Sequence, residues 1–119
     1  MAVDRLRLLA DLERLTNAHG PSGAEGEVER LLFEMFNGLG DDTWQDDADG
    51  IVVHFKGQSA EGGIAIGAHK DEIAMIVKRV EADGRVRVRP VGGLHPWAIG
   101  ESPVEIIVGE QSLPGVLSI

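Results

Sequence analysis

Ile64-Ala65-Ile66-Gly67-Ala68-His69-Lys70-Asp71-Glu72 is an apolar run that ends abruptly in a histidine, a lysine and two carboxylates. A short run of small and β-branched residues predicts a buried strand. The polar group then sits at the strand's carboxyl end, where open α/β sheets gather their ligands. Side chains two apart on a strand share a face, which aims His69 and Asp71 together and sends Lys70 the other way. That pattern suits a metal ligand and its neighbour, because imidazole is a good zinc or cobalt ligand and a nearby carboxylate orients it. The triplet alone does not specify a site, since a metal usually needs three or four protein ligands. Glu72 alternates with Asp71, so it is expected to cap or pair nearby rather than to join the same shell.

Upstream of this corner the pattern is helical. Leu8, Leu12 and Leu15, joined by Leu9, recur at three- and four-residue spacing and predict an amphipathic helix that packs on something larger. Gly20 and Pro21 predict its end near His19, which then serves as a favourable cation or donor at a helix terminus. Ser22-Gly23-Ala24-Glu25 matches a capping box and predicts the start of a second helix. Val28, Leu31, Leu32, Met35 and Phe36 continue that helix as a core-packing stripe until Gly38 and Gly40. After the acidic turn, Ile51 to Lys56 reads as a strand and Gly57 to Gly63 as a loop. His54 falls in mid-strand without nearby carboxylates, and a structural or solvent-facing role is expected of it.

Downstream the texture becomes all-β. Met75 to Val80, a turn at Asp83-Gly84, and Arg85-Val86-Arg87-Val88-Arg89 predict a hairpin with a solvated arginine face. Val91 to Trp97 reads as a loop, and Val104 to Val108 and Val116 to Ile119 read as further strands. Because domains usually end in exposed segments rather than in mid-strand, the last of these suggests that the chain is the beginning of something longer.

Composition narrows the function classes. With 119 residues and 43% hydrophobic content, the chain is long enough for one domain with a modest core, or for part of one. The net charge of −9, with Asp41, Asp42, Asp46, Asp47 and Asp49 clustered ahead of His69, disfavours nucleic acid, which demands a basic footprint. Absence of cysteine excludes disulfides and thiolate metal sites, so any metal must use His, Asp or Glu. Charged residues break up the leucines of the first 15 positions, unlike a signal peptide, and no segment nears the roughly 20 apolar residues of a membrane span. A soluble, cytoplasmic protein is expected. No serine sits in a G-x-S-x-G elbow, and the glycine pairs 62–63 and 92–93 lack phosphate-loop spacing.

Ala18-His19-Gly20-Pro21-Ser22-Gly23 with Glu25, then Asp49-Gly50, then Gly67-Ala68-His69-Lys70-Asp71-Glu72-Ile73, then Val91-Gly92-Gly93 follow one another in a distinctive order. In this the chain resembles the glutamyl and deblocking aminopeptidases, dinuclear metallopeptidases that build tetrahedral dodecamers. The resemblance covers nearly the whole sequence. It implies that His69 is the first metal-binding histidine and that Asp71 is the catalytic carboxylate assisting it. It also implies two divalent ions, zinc or cobalt, that polarise a peptide carbonyl and activate water, with a glutamate as general base. The implied fold is an α/β catalytic domain interrupted by a small β-barrel dimerisation domain. Residues 1–72 would be the amino-terminal part of the first, and residues 73–119 an incomplete piece of the second.

The same resemblance places a bridging aspartate, a Glu-Glu pair, a further acidic ligand and a late histidine beyond position 119. Lys70 stands where methionine is common, Ala74 where glycine is usual, and Ile51 where an asparagine commonly follows the glycine. The expectation is therefore an aminopeptidase portion, a hydrolase by family, that takes peptide substrates and self-associates but is inactive alone and binds metal weakly or not at all. The alternative is a noncatalytic oligomerisation or peptide-binding module made from that scaffold. A third possibility is a small α/β domain whose His-x-Asp is accidental.

Overall fold

A computed structural model of the chain describes residues 3–59, 61–109 and 111–118. These form two compact units, Met1–Glu72 and Ile73–Ile119. The first holds α1 (Arg5–Asn17), α2 (Gly26–Phe36), β1 (Asp42–Gln45) and β2 (Ile51–His54). The second holds β3 (Ala74–Val80), β4 (Val86–Val91), the single turn α3 (Pro96–Ile99), β5 (Pro103–Val108) and β6 (Gln111–Val116). Helix and strand are mixed, and the sheets among the described residues are antiparallel two-stranded ribbons: β1 with β2, β3 with β4, β5 with β6.

Helix α1 starts at Asp4, whose carboxylate accepts the backbone N–H groups of Leu6 and Arg7 at 3.1 Å each, a side-chain N-cap. It ends at Asn17, two residues before the predicted stop near His19, because Ala18 is already extended. Gly20 is not the left-handed cap expected of it; its role is close approach. A Cβ there would meet Val28 Cγ1 at 3.0 Å. Val28 is the one buried apolar side chain among the described residues, and the rest of the α2 stripe is half-buried. The leucine stripe of α1 finds little cover: Leu8, Leu9 and Leu12 are exposed.

The second helix starts later than the Ser22 to Glu25 pattern predicts. Gly23 has φ 86°, a left-handed conformation that cannot be the first helical residue after an N-cap at Ser22. Glu25 becomes the flanking residue without a side-chain cap, and its carboxylate turns back to accept the Gly23 N–H at 2.8 Å. That N–H holds the Glu25 carboxyl below its ordinary range.

Helices α1 and α2 are joined by Arg14 to Glu34 at 2.8 Å, and His19 Nδ1 lies 2.9 Å from Glu27 Oε2. The His19 hydrogen bond holds the Glu27 carboxyl below its ordinary value. A carboxyl depressed by folding contributes stability that is present above its unfolded value and is lost as pH falls through the folded one. Glu27→Gln is therefore expected to flatten the acid limb of stability below the ordinary glutamate range. With both side chains more than a third exposed, the effect is a few tenths of a kcal/mol. Urea midpoints measured across an acidic pH series check it; parallel acid limbs for the two proteins would refute it.

The acidic stretch read as a turn contains strand β1, and the turn itself is Asp46 to Gly50. Asp46 Oδ1 accepts the N–H groups of Ala48 and Gly50 at 2.9 and 2.7 Å. Here Asp49 takes φ 60°, a conformation open to aspartate because its short polar side chain tolerates it. Pairing of β1 with β2 sets Asp42 opposite His54, at 3.5 Å between Oδ2 and Nδ1, so His54 does have a carboxylate neighbour.

The largest departure concerns the opening stretch. Residues 64–68 form no strand; Ile64 and Ile66 are 95% and 96% exposed. A strand needs a neighbour for its backbone groups. Among the described residues none pairs with this run, and β-type pairing resumes only at the isolated parallel bridge of Glu72 with Pro21.

In the second unit the predicted hairpin is present as β3 and β4, with a register irregularity between Val77 and Arg79. Glu81 binds Arg79 and Arg87 at 2.6 and 3.0 Å, which neutralises part of the arginine face. The strand expected at Val116 to Ile119 lies earlier, at Gln111–Val116, registered on β5 through Val108↔Gln111 and Pro103↔Val116; Ile119 is outside the described residues. The loop expected through Trp97 tightens into α3. No helix among the described residues is long and apolar enough to cross a membrane.

Candidate functional site

His69, Lys70, Asp71 and Glu72 emerge from the unpaired run, so side chains rather than a sheet ladder fix them. Glu72 is tied twice to Gly20: its N–H donates to the Gly20 carbonyl at 2.8 Å, and its Oε1 accepts the Gly20 N–H at 2.9 Å. This is the nearby pairing expected of Glu72. Lys70 reaches to different partners. Its ammonium forms an ion pair with Glu29 of α2 and donates to the Asp49 carbonyl at 2.5 Å. Glu29 holds the Lys70 ammonium above its ordinary value. The cation introduced at position 70 is thereby engaged away from the imidazole.

His69 and Asp71 do come together. The imidazole Nδ1 lies 2.9 Å from the Asp71 carbonyl oxygen and 3.2 Å from Oδ1 of its carboxylate. Both are acceptors when the carboxylate is ionised, so in the neutral ring the proton belongs on Nδ1 and Nε2 keeps its lone pair. The His69 side chain is 85% exposed, leaving that lone pair open. Ser22 completes the cluster: its hydroxyl donates to Asp71 Oδ2 at 2.5 Å. This hydrogen bond, more than the one from His69, holds the Asp71 carboxyl below its ordinary range.

The donor set fits one metal ligand with an oriented supporter, the arrangement in which a histidine donates its second ring N–H to a carboxylate. It does not fit a closed site. Among the described residues no group of three or more His, Asp or Glu side chains could hold an ion.

Sequence reasoning placed His69, Asp71, Lys70 and Glu72 correctly relative to one another but missed Ser22, which it assigned to a helix cap. The available signal was Gly23 itself, because a glycine directly after Ser marks a turn as readily as a first helical residue. The Glu29 partner of Lys70 carried no local signal, being 41 residues away.

A profile of the M42 glutamyl aminopeptidase family matches residues 49–119. The chain is similar to the lysyl aminopeptidase of Pyrococcus furiosus, 24% identical over 109 residues, which cover 91% of this chain and 31% of that protein. It is also similar to the glutamyl aminopeptidase of Lactococcus lactis subsp. cremoris, 33% identical over 96 residues, covering 79% of this chain and 27% of that protein. The chain thus spans about three tenths of the length of these curated relatives. With a family match that takes in more than half of its residues, this chain belongs to the M42 glutamyl aminopeptidase family.

Proposed function

We propose that the chain supplies the first metal ligand, His69, and its orienting carboxylate, Asp71, to a metal-dependent aminopeptidase that removes amino-terminal residues from peptides. The observation that carries this reading is the His69 ring itself, whose Nδ1 lies against the Asp71 carbonyl and carboxylate while the side chain is otherwise exposed. When bound, a pair of divalent ions, zinc or cobalt, supplies Lewis-acid polarisation of the peptide carbonyl and an acidified water. His69 contributes one neutral donor. Asp71 keeps the proton on Nδ1 and stabilises the ring's orientation. Residues 1–72 belong in this reading to the α/β catalytic domain, and residues 73–119 to part of a β-rich dimerisation domain.

One histidine and one supporter cannot retain two ions, so this polypeptide alone is inactive and its other ligands come from elsewhere. Metal analysis together with glutamyl- and leucyl-peptide assays on the purified chain tests this. The expected result is substoichiometric metal and no turnover; stoichiometric metal with turnover by this chain alone would overturn the claim of incompleteness.

A second reading is favoured by the sheets, since among the described residues each has two strands, so that every strand is an edge of its sheet, the element to which β-addition is made. On this reading the chain is a noncatalytic oligomerisation or peptide-binding module. Zinc titration followed by light scattering separates the two. Zinc-dependent assembly that disappears in His69→Ala supports the retained ligand, and metal-independent assembly that survives His69→Ala supports the module.

A further inference from the structure

The run from Gly62 to Asp71 has no sheet ladder, so the orientation of His69 depends on what holds Asp71. The Asp71 carboxylate has two oxygens with separate tasks: Oδ2 accepts the Ser22 hydroxyl at 2.5 Å, and Oδ1 faces His69 Nδ1 at 3.2 Å. Carboxylate torsions are broad and roughly two-fold, so an untethered Asp71 would swing away from the ring at little cost. Ser22 is itself fixed. It follows Gly20 and Pro21, which are bound to Glu72 by two hydrogen bonds and a parallel bridge. The turn thus reads the position of residue 72 and returns a hydroxyl to residue 71.

We infer that Ser22 is a positioning residue for His69, acting through Asp71 to select the imidazole tautomer whose outward nitrogen is free to ligate. This rests on the reading of His69 as a metal ligand. Neutral imidazole side chains in water favour the proton on Nε2, the nitrogen that must be bare for coordination. The Asp71 carbonyl, 2.9 Å from Nδ1, opposes that preference, and the carboxylate adds to this opposition while Ser22 holds Oδ2 and keeps Oδ1 turned to the ring. Ser22 is not a nucleophile in this arrangement: its hydroxyl points at the carboxylate rather than at the imidazole, the reverse of the order a serine hydrolase requires.

The test is the tautomer of His69 in the metal-free chain, read by two-bond proton–nitrogen correlations on histidine-labelled protein at a pH where the ring is neutral. Wild type is expected to be mainly Nδ1–H. Ser22→Ala is expected to lower the ratio of Nδ1–H to Nε2–H at least three-fold, and Ser22→Thr, which keeps the hydroxyl, to restore it. Amide dispersion reports whether each variant folds; should Ser22→Ala unfold, Ser22→Cys, a weaker donor of similar size, carries the same comparison. A ratio unchanged in the folded variant, while Asp71→Ala shifts it, would overturn the role of Ser22. Millimolar cobalt added to the wild-type sample addresses the underlying reading separately. Broadening at His69 Nε2 supports the ligand, and its absence beside an intact Ser22 effect would sink the ligand and leave the positioning result standing.

Discussion

Gly40→Ala is expected to destabilise the first unit by about 3 kcal/mol, the upper end of the range for overpacking a rigid site. A Cβ on Gly40 would lie 2.6 Å from the His54 carbonyl oxygen and 2.6 Å from Val53 Cγ1. The first of these atoms is backbone and cannot swing aside. It already accepts the Asp41 N–H at 2.8 Å, and Asp41 in turn accepts the Lys56 N–H at 2.6 Å through its carboxylate. Relief of the clash therefore opens the start of the β1–β2 ribbon at its Asp42↔His54 register. Against a typical domain stability of about 5–15 kcal/mol, that is a large fraction. Urea unfolding followed by Trp44 of β1, in a Trp97→Phe background, measures the effect. Gly26→Ala is the control, because no atom lies within 4 Å of its added Cβ and the residue is helical, so it is expected to be neutral or mildly stabilising. Equal midpoints for the Gly40→Ala and Gly26→Ala proteins would refute the steric account.

The second large effect is expected at Lys70, where methionine would keep the side chain's volume and remove its charge. The Lys70 and Glu29 side chains are only 20% and 21% exposed, so this pair lies between a solvated ion pair and a buried one. Surface pairs contribute about 0–1 kcal/mol, and breaking a buried pair costs about 3–5 kcal/mol because a shielded charge is stranded. For Lys70→Met a loss of about 2 kcal/mol follows, with the Asp49 carbonyl also left without its donor. Glu29→Gln alone strands the ammonium in the same way, whereas the double variant strands neither charge. A double-mutant cycle is expected to give a coupling of at least about 1 kcal/mol. Additive single effects would show that the two side chains are neighbours without energetic dependence.

Much of both units was legible because the signals are local. The leucines of α1, the Val28 to Phe36 stripe and the alternation around Asp83-Gly84 each mark an element by periodicity alone. The mutual arrangement of residues 69–72 was legible for the same reason, since a two-residue repeat decides which side chains share a face. What failed depended on distance. Ser22 satisfies a capping pattern within four residues, yet its hydroxyl goes to a carboxylate 49 residues away. Strand β1 was hidden because the strand formers Thr43 and Trp44 are only two residues set among aspartates, which disfavour strands, and the segment is held by pairing with Ile51–His54. The run 64–68 has every local mark of a buried strand, but burial is a property of what lies beside a segment, and composition does not supply the neighbour.

That bare run has a thermodynamic corollary. Covering Ile64 and Ile66 completely would contribute about 3–6 kcal/mol, comparable to the whole stability of a small domain. The folding free energy of this chain is consequently not a fixed property of its sequence. By mass action, anything that shields those two side chains in the folded state alone adds its binding free energy to the apparent stability, and the melting temperature becomes a function of concentration.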